Sequence, residues 1–558
     1  MSPAPEPFDV PVLIVGAGPV GLVLALTLIK NGIKVRIVEK EAGTHKGQRG
    51  TGIMPRSLEL YQYLGLLPEI LKRGRPLLPS LVYKLPGGTD IMKEFYLAEP
   101  KETTPSTPII NIRSLGQDRL EKLLHERLEK LGCRVEFKTT MTSFSQFDDH
   151  VEVQLVKSGI DQDVTETVQC KWMVGADGAK GIIRKQLGLE FSGETRGVEE
   201  RFVSGDLEVK NLSDEHWHVW GDPSTILVSL RGTETPGIFH LIMGGQIEFD
   251  KVVSDREELA KAVKAGTHRD DLEIGEPTWL YETTPNIRMT EKFSQGRVFL
   301  AGDACHVHPF FGAQGSNSGV QDAFNLAWKL VLVEKGLAAP TLLASYTAER
   351  VPVIAEVLRR TTNIHDKTQV MGNDGRGLDA WDRGGSLKML GINYRWSSIV
   401  LDERNPYMAE APQDPYGVEA GDMVRAGDRA PDAPGLVPIE GGETSLFKIF
   451  GPTCHTVLLF AGNDSAEEVR RVLTKLKGYP EDAVRSVVIY PRGALPEVID
   501  DADLVVFDSE QHAYVGYCCS DDDLTIAIVR PDGIVGGIVF GAPGLRRYFR
   551  AVFSTLSV

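Results

Sequence analysis

Val10-Pro-Val-Leu-Ile-Val-Gly-Ala-Gly-Pro-Val-Gly21 is the stretch that decides the fold. Residues 10–15 are a short apolar run, as a parallel strand buried on both faces requires. The glycines follow with G-x-G-x-x-G spacing. Gly16 permits a tight turn, Gly18 lets the backbone approach a pyrophosphate, and Gly21 lets helix and strand pack closely. Pro19 opens a helix over residues 19–31, which Gly32 ends. Its amino end offers free N–H groups and the positive dipole end to phosphates. Residues 34–39 (KVRIVE) alternate as a second strand, placing Glu39 where ribose hydroxyls are held. The unit is β-α-β, and it predicts a nucleotide-binding α/β domain. The motif alone does not separate FAD from NAD.

The same apolar stretch, residues 10–29, is long enough to resemble a membrane span. Three glycines and Pro19 interrupt it over residues 16–21, and residues 1–8 carry no basic leader. It reads as a buried strand and a buried helix, so neither an anchor nor a signal peptide is expected. A chain of 558 residues implies two or three domains. The formal charge of -16 disfavours nucleic acid or an anionic membrane as partner. Six cysteines without a CxxC pair read as thiols of a reducing compartment, with Cys518 and Cys519 in a packed strand, and the expected location is cytoplasmic.

Further along, residues 115–131 form a helix with a leucine stripe, and residues 134–137 and 151–156 form strands. Residues 172–175 and 298–301 are apolar runs ending in Gly-Ala-Asp and Ala-Gly-Asp, strands with function at their carboxyl ends. Between them, residues 202–281 are β-rich and predict an inserted antiparallel sheet. Long helices follow over residues 317–335 and 341–361, then a Pro- and Gly-rich linker, then a small α/β domain. The expected division is 1–90, 113–194 and 291–404 for the nucleotide domain, 91–112 and 195–290 for the inserted sheet, 405–434 for the linker and 435–558 for the last domain.

Three motifs carry the chemistry: the glycine turn, Asp177-Gly178 with Arg184, and Gly302-Asp303 within GDACHVHPFFGAQGSNSGVQDAFNLAWKL. In this order they resemble the group A flavoprotein monooxygenases, the aromatic hydroxylases of the para-hydroxybenzoate hydroxylase and phenol hydroxylase type. PRSLELYQYLGL, which begins at Pro55, and Ser345-Tyr346 with Glu349, Arg350 and Pro352 are similar to family stretches. The resemblance implies a Rossmann-like FAD-binding domain, the inserted antiparallel substrate sheet and, from Gly427 on, a thioredoxin-like C-terminal domain that supports a homodimer. It implies non-covalent FAD, held by Gly16, Gly18, Pro19, Gly21, Glu39, Arg49, Arg113, Gln117 and Asp303. Asp177 and Arg184 belong to a motif linked to both FAD and NAD(P)H. Gly312, Gln314, Gly315, Ser316 and Asn317 lie along the isoalloxazine. The implied reaction uses NADH or NADPH and O2 to hydroxylate a phenolic or hydroxybenzoate-like ring through a flavin C4a-hydroperoxide shielded from water, with oxidative decarboxylation as a variant.

The chain departs from the family pattern at four places. Gly181 stands where the Asp-Gly motif has Ser. Pro309-Phe310-Phe311-Gly312 replaces the usual Pro-Pro-x-Gly, so Phe310 and Phe311 are expected to enlarge an apolar wall over the substrate. Thr51 and Thr283 stand where phenol hydroxylases carry Asp and Tyr, while Arg288 matches. The usual pair that activates a phenol is therefore missing, and the base is unassigned. Candidates on the substrate side are His308, Tyr281 and Arg288, with Pro309, His216 and His218 lining the pocket. His306 and His308 form an HxH pair, but no third ligand lies nearby in the sequence and no metal is expected. A halogenase reading predicts WxWxIP, and Trp217-His-Val-Trp220 is not followed by Ile-Pro. A non-catalytic FAD-binding assembly protein would bind FAD without aromatic-stimulated NAD(P)H consumption.

Overall fold

The computed structural model describes residues 8–159, 162–309, 312, 314–369, 382–406, 413–418, 421–462, 465–494 and 501–554. The apolar opening run forms strand Val10–Val15. It lies parallel between Val35–Val38 and Val164–Gly175, with Val298–Leu300 parallel beyond. The carboxyl ends of three of these strands, each followed by a motif, thus lie side by side. Val151–Lys157 and Thr139–Gln146 extend the sheet in antiparallel sense. Residues 134–137 are not the expected strand. They make one bridge, Val38 with Glu136, and the chain turns through Lys138 at φ 55° before the meander begins.

Helix Pro19–Lys30 is buried along nearly its whole length, packed against helices Gly315–Glu334 and Gln117–Lys130. Each Leu or Val so buried contributes about 1.5–3 kcal/mol. That packing explains the all-round apolar sequence that resembles a span. Among the described residues, no helix is long and apolar enough to cross a membrane.

A second sheet runs in the order Glu273–Thr283, Phe202–Lys210, Ile238–Gly245, Ile226–Gly232, Trp217–Trp220, Ser80–Tyr83, Ile91–Phe95. Its pairings are antiparallel except between Trp217–Trp220 and Ser80–Tyr83. Because side chains alternate along a strand, the two faces differ. Val203, Leu207, Val228, Leu230, Phe239 and Leu241 pack under helices Phe249–Ser254 and Arg256–Thr267. Ser204, Asp206, Ser229, Arg231, His240 and Trp279 occupy the opposite face, which abuts the first domain through Gly47, Gln48 and Ser114.

The third large sheet is C-terminal, in the order Leu401–Asp402, Val535–Val539, Thr525–Val529, His455–Phe460, Val484–Pro491, Leu504–Asp508, Leu436–Pro438. Leu401–Asp402, expected in the nucleotide domain, pairs with it. In the stretch expected as a linker, Ala426, Ala430 and Ala433 are buried and Arg429 pairs with Glu59. Cys518 and Cys519 do not lie in a packed strand. Cys518 closes helix His512–Tyr517 in the left-handed conformation and is exposed. The sheet docks through buried charges: Arg530 donates to both Glu349 oxygens at 2.8 and 3.0 Å, and Lys329 donates to Glu349 at 2.9 Å.

Candidate active site

The cofactor edge is built from backbone. Gly16 sits at φ 105°, and a Cβ there would lie 2.2 Å from the Ala176 carbonyl oxygen, so the first two motifs touch only because this residue is glycine. A Cβ on Gly21 would lie 2.0 Å from the Gly16 oxygen. At Gly18, by contrast, a Cβ would meet nothing within 4 Å, and this open cradle at the helix start fits a pyrophosphate. Glu39 is buried and accepts a hydrogen bond from Ala17 N–H at 2.8 Å. Asp303 is exposed at the end of Val298–Leu300. Gln117 starts the helix Gln117–Lys130, and its N–H donates to Gln48 O. Arg49 is exposed at φ 42°, and Arg113 pairs with Ile53 in the small ladder beside it. The open cradle at Gly18 and the buried Glu39 carboxylate beside it fit FAD.

Arg184 ties the second and third motifs together, donating to Ala304 O at 2.8 Å and Ala179 O at 2.9 Å. Asp177 accepts from Ile183 N–H, and burial raises its carboxyl. Its Oδ1 has no hydrogen-bond partner among the described residues. The departure at Gly181 has a local reason: a Cβ there would lie 2.2 Å from that carboxylate. His306 lies in a buried ion network. Its Nε2 is 2.7 Å from Asp322 Oδ2, while Arg350 Nε donates to Asp322 Oδ1 at 2.7 Å. Asp322 also accepts from Gly302 N–H and so holds the Gly-Asp turn. Cys305, His306 and Asp322 are close enough to form a metal-ligand trio, but Arg350 brings a cation to the same carboxylate.

Gly315 and Ser316 begin helix Gly315–Glu334. Asn317 bridges to the facing segment, accepting from Met54 N–H at 2.9 Å and donating to Gly52 O at 2.8 Å. Gln314 donates to Gly312 O and Leu387 O. His308 Nδ1 is 3.0 Å from Pro309 O, and burial lowers its imidazole to about 4. It is therefore neutral at neutral pH and sits against Gly315. Pro309 is buried next to it. Phe310 and Phe311 lie outside the described residues.

The candidates on the second sheet divide. Thr283 pairs with Phe202 and Tyr281 with Ser204, both on the face toward the first domain, and Tyr281 is 53 % exposed. Thr51 is half-buried, and its carbonyl accepts from Leu115 N–H. Arg288 donates to Phe191 O and to Asn286 Oδ1, both at 3.0 Å, so its fork is occupied by its own ladder. His218, expected in the pocket, does not line it. It lies on the helix-covered face, 2.8 Å from Tyr83 OH and 2.7 Å from Ser213 O, stacked on Tyr83 and Trp220. The alternation that suggested a histidine face is real, but that face is core. His216 lies just before the strand and edges against His218.

Sequence reading missed the polar residues of the other face. Asp206 accepts from Gln48 N–H at 2.7 Å and Trp279 Nε1–H at 2.5 Å, and His240 Nδ1 lies 2.7 Å from its Oδ1. Arg231 donates to Gln48 Oε1 at 2.7 Å. The available signal was polar residues at period-two positions in otherwise apolar strands: Ser204 and Asp206, Ser229 and Arg231, and His240. Two surface hollows lie elsewhere, one beside Trp172 and Arg297, the other along Glu208 and Arg256.

The family described as FAD binding domain matches residues 9–361. A flavin-dependent monooxygenase of Mycobacteroides abscessus (strain ATCC 19977) is 32% identical over 489 residues, covering 86% of this chain and 95% of that protein. Pentachlorophenol 4-monooxygenase of Sphingobium chlorophenolicum is 26% identical over 516 residues, 88% of each chain. The solved ternary complex of aklavinone-11 hydroxylase with FAD and aklavinone superposes with a TM-score of 0.77 at 25% identity, covering 98% of this chain and 100% of that one. With its glycine turn and both aspartate motifs gathered at the ends of parallel strands, the chain belongs to the FAD binding domain family, as a flavin-dependent monooxygenase of the aromatic hydroxylase group.

Proposed function

We propose that this enzyme hydroxylates a phenolic ring bound between the polar face of the second sheet and Gly312, Gln314 and Asn317 of the first domain. The observation that carries this reading is that face: Ile242, Ser204 and Tyr281 form an accessible cross-strand row, flanked by buried polar residues on one side and buried Phe202 on the other. The row sets aliphatic and aromatic surface beside one hydroxyl, a combination that suits a small phenolic ligand. Pentachlorophenol and aklavinone, named for the two relatives above, are aromatic compounds of this kind.

Gly16, Gly18, Pro19, Gly21, Glu39, Arg49, Arg113, Gln117 and Asp303 would hold FAD, with Asp177 and Arg184 shared with NADH or NADPH. Bound FAD, once reduced by the nicotinamide, supplies the activation of O2 and the transfer of one oxygen atom to the ring. The chain's own residues do the rest. The amino end of helix Gly315–Glu334 carries the positive end of the helix dipole, which favours negative charge beside it. Neutral His308 and buried Pro309 keep that edge poor in water. We also place the protein in the cytoplasm as a homodimer assembled through a thioredoxin-like C-terminal domain, which light scattering tests.

The decisive experiment is NADH and NADPH oxidation by the FAD-loaded chain against simple phenols, hydroxybenzoates and fused-ring phenols, with mass analysis of products. A product heavier by one oxygen is the expected result. Release of CO2 with hydroxylation identifies the oxidative-decarboxylation variant. Peroxide alone with every phenol overturns the reading.

A further inference from the structure

Three polar side chains on the accessible face lie in series. Ser204 Oγ is 3.3 Å from His240 Nε2, and His240 Nδ1 is 2.7 Å from Asp206 Oδ1. Ser204 and Asp206 are two residues apart on one strand, and His240 pairs with Asp206 on the next. Cross-strand register assembles the series, and the pleat sends all three side chains to the same side. Their burial is graded. Asp206 is 4 % exposed and His240 5 %, whereas Ser204 is half-buried in the row with Ile242 and Tyr281. Only the hydroxyl end opens to the cleft.

The far end is fixed. Asp206 accepts from Gln48 N–H and Trp279 Nε1–H through Oδ2, which leaves Oδ1 to receive His240 Nδ1–H. That bond sets the tautomer and leaves Nε2 as the acceptor facing Ser204. The charged groups around the imidazole are Asp206, Arg231 and Glu234. Burial lowers His240, with Arg231 acting in the same sense. Asp206 would be raised by burial, but His240, Trp279 and Gln48 bring it below the usual carboxylate value. The resting state is a neutral imidazole on an ionised aspartate.

We infer that Ser204, His240 and Asp206 form the proton relay that activates the substrate, in place of the acid and tyrosine absent at Thr51 and Thr283. This rests on the phenolic reading above. The phenol O–H bond breaks and its proton passes to Ser204 Oγ. The serine's own proton passes to His240 Nε2, and Asp206 stabilises the resulting imidazolium. The phenolate keeps the electron pair, which raises electron density on the ring carbons to be oxygenated. Ser204 is the group that touches substrate, and His240 and Asp206 are positioning residues behind it.

The test is the ionisation of bound 4-nitrophenol, read by phenolate absorbance across a pH series on the FAD-loaded chain. The wild type is expected to bind it as phenolate at pH values where it is protonated in water. Ser204→Ala and His240→Gln should each raise the apparent pKa of the bound phenol by about one unit, a tenfold loss of ionisation. FAD retention should stay as in the wild type for both, Tm should stay so for Ser204→Ala, and Ser204→Thr should restore the signal. Asp206→Asn disturbs more bonds, so the serine pair decides. Unchanged ionisation in Ser204→Ala, or binding of 4-nitrophenol without preferential ionisation in the wild type, overturns the relay and leaves the phenolic reading standing. Binding of no phenol in either form by a chain whose FAD is still reduced by NADPH overturns both.

Discussion

The cofactor edge and the polar face of the second sheet are built from different materials. At the edge, contacts are made by backbone, and what matters is the absence of side chains: a Cβ on Gly16 would overlap Ala176 O, and one on Gly21 would overlap Gly16 O. On the polar face, contacts are made by side chains brought together by strand register, such as Asp206 and His240, 34 residues apart in sequence. The first kind of site leaves a compact signature, because a fixed backbone path demands particular residues at fixed spacing. The second leaves only scattered polar residues in strands.

Asp322 departs from this contrast most sharply, because it supports the cofactor edge by side chain and not by backbone. Asp322→Asn leaves Arg350 in the interior without its counter-charge, and the expected loss of stability is about 3–5 kcal/mol, read by denaturant unfolding. Burial alone would raise this carboxyl, but Arg350 and His306 hold it at about 2. A folded-state value below the unfolded one stabilises the protein above about pH 4, and that contribution is lost as pH falls through the folded value. The wild type should therefore lose it between about pH 4 and 2, and the variant should lack that step. If unfolding of the two is identical across this window, the network does not support the turn.

Gly16→Val tests the backbone side. Its clash with Ala176 and the unfavourable φ should cost about 3 kcal/mol, two orders of magnitude in FAD affinity, with the second sheet intact by circular dichroism. Retention of yellow colour through dialysis would show that the turn tolerates a side chain. His218→Gln compares the two faces of one sheet. Loss of its bonds to Tyr83 and Ser213 should lower stability by about 1–2 kcal/mol while leaving the ionisation of bound 4-nitrophenol unchanged. A shifted ionisation would place the helix-covered face in the chemistry. The smallest effect is expected from Gly181→Ser, which installs the serine of the pattern that the chain resembles. Its Cβ meets the Asp177 carboxylate, so the KM for NADPH should rise about threefold, less than 1 kcal/mol. An unchanged or improved KM would show that Asp177 moves aside freely.

The βαβ unit, the three motifs and the parallel strands beneath them were legible in the residues, and so was the inserted sheet. The strand expected over residues 134–137 failed because Lys138 turns the chain, which an alternating pattern does not reveal. His218 was misplaced for a related reason. Period two shows that His216 and His218 share a side, but not which side is covered by helices Phe249–Ser254 and Arg256–Thr267.

What the sequence determined by itself is therefore the cofactor edge, since a phosphate-binding turn constrains residues that are neighbours along the chain. Only the tertiary structure decided the face proposed for the substrate. Ser204, His240 and Asp206 become a series through strand pairing, and Gln48 and Trp279 orient it from two further segments. The physical reason is range: backbone conformation is set within a few residues, whereas cross-strand register and the choice of the covered face are set by packing of the whole chain.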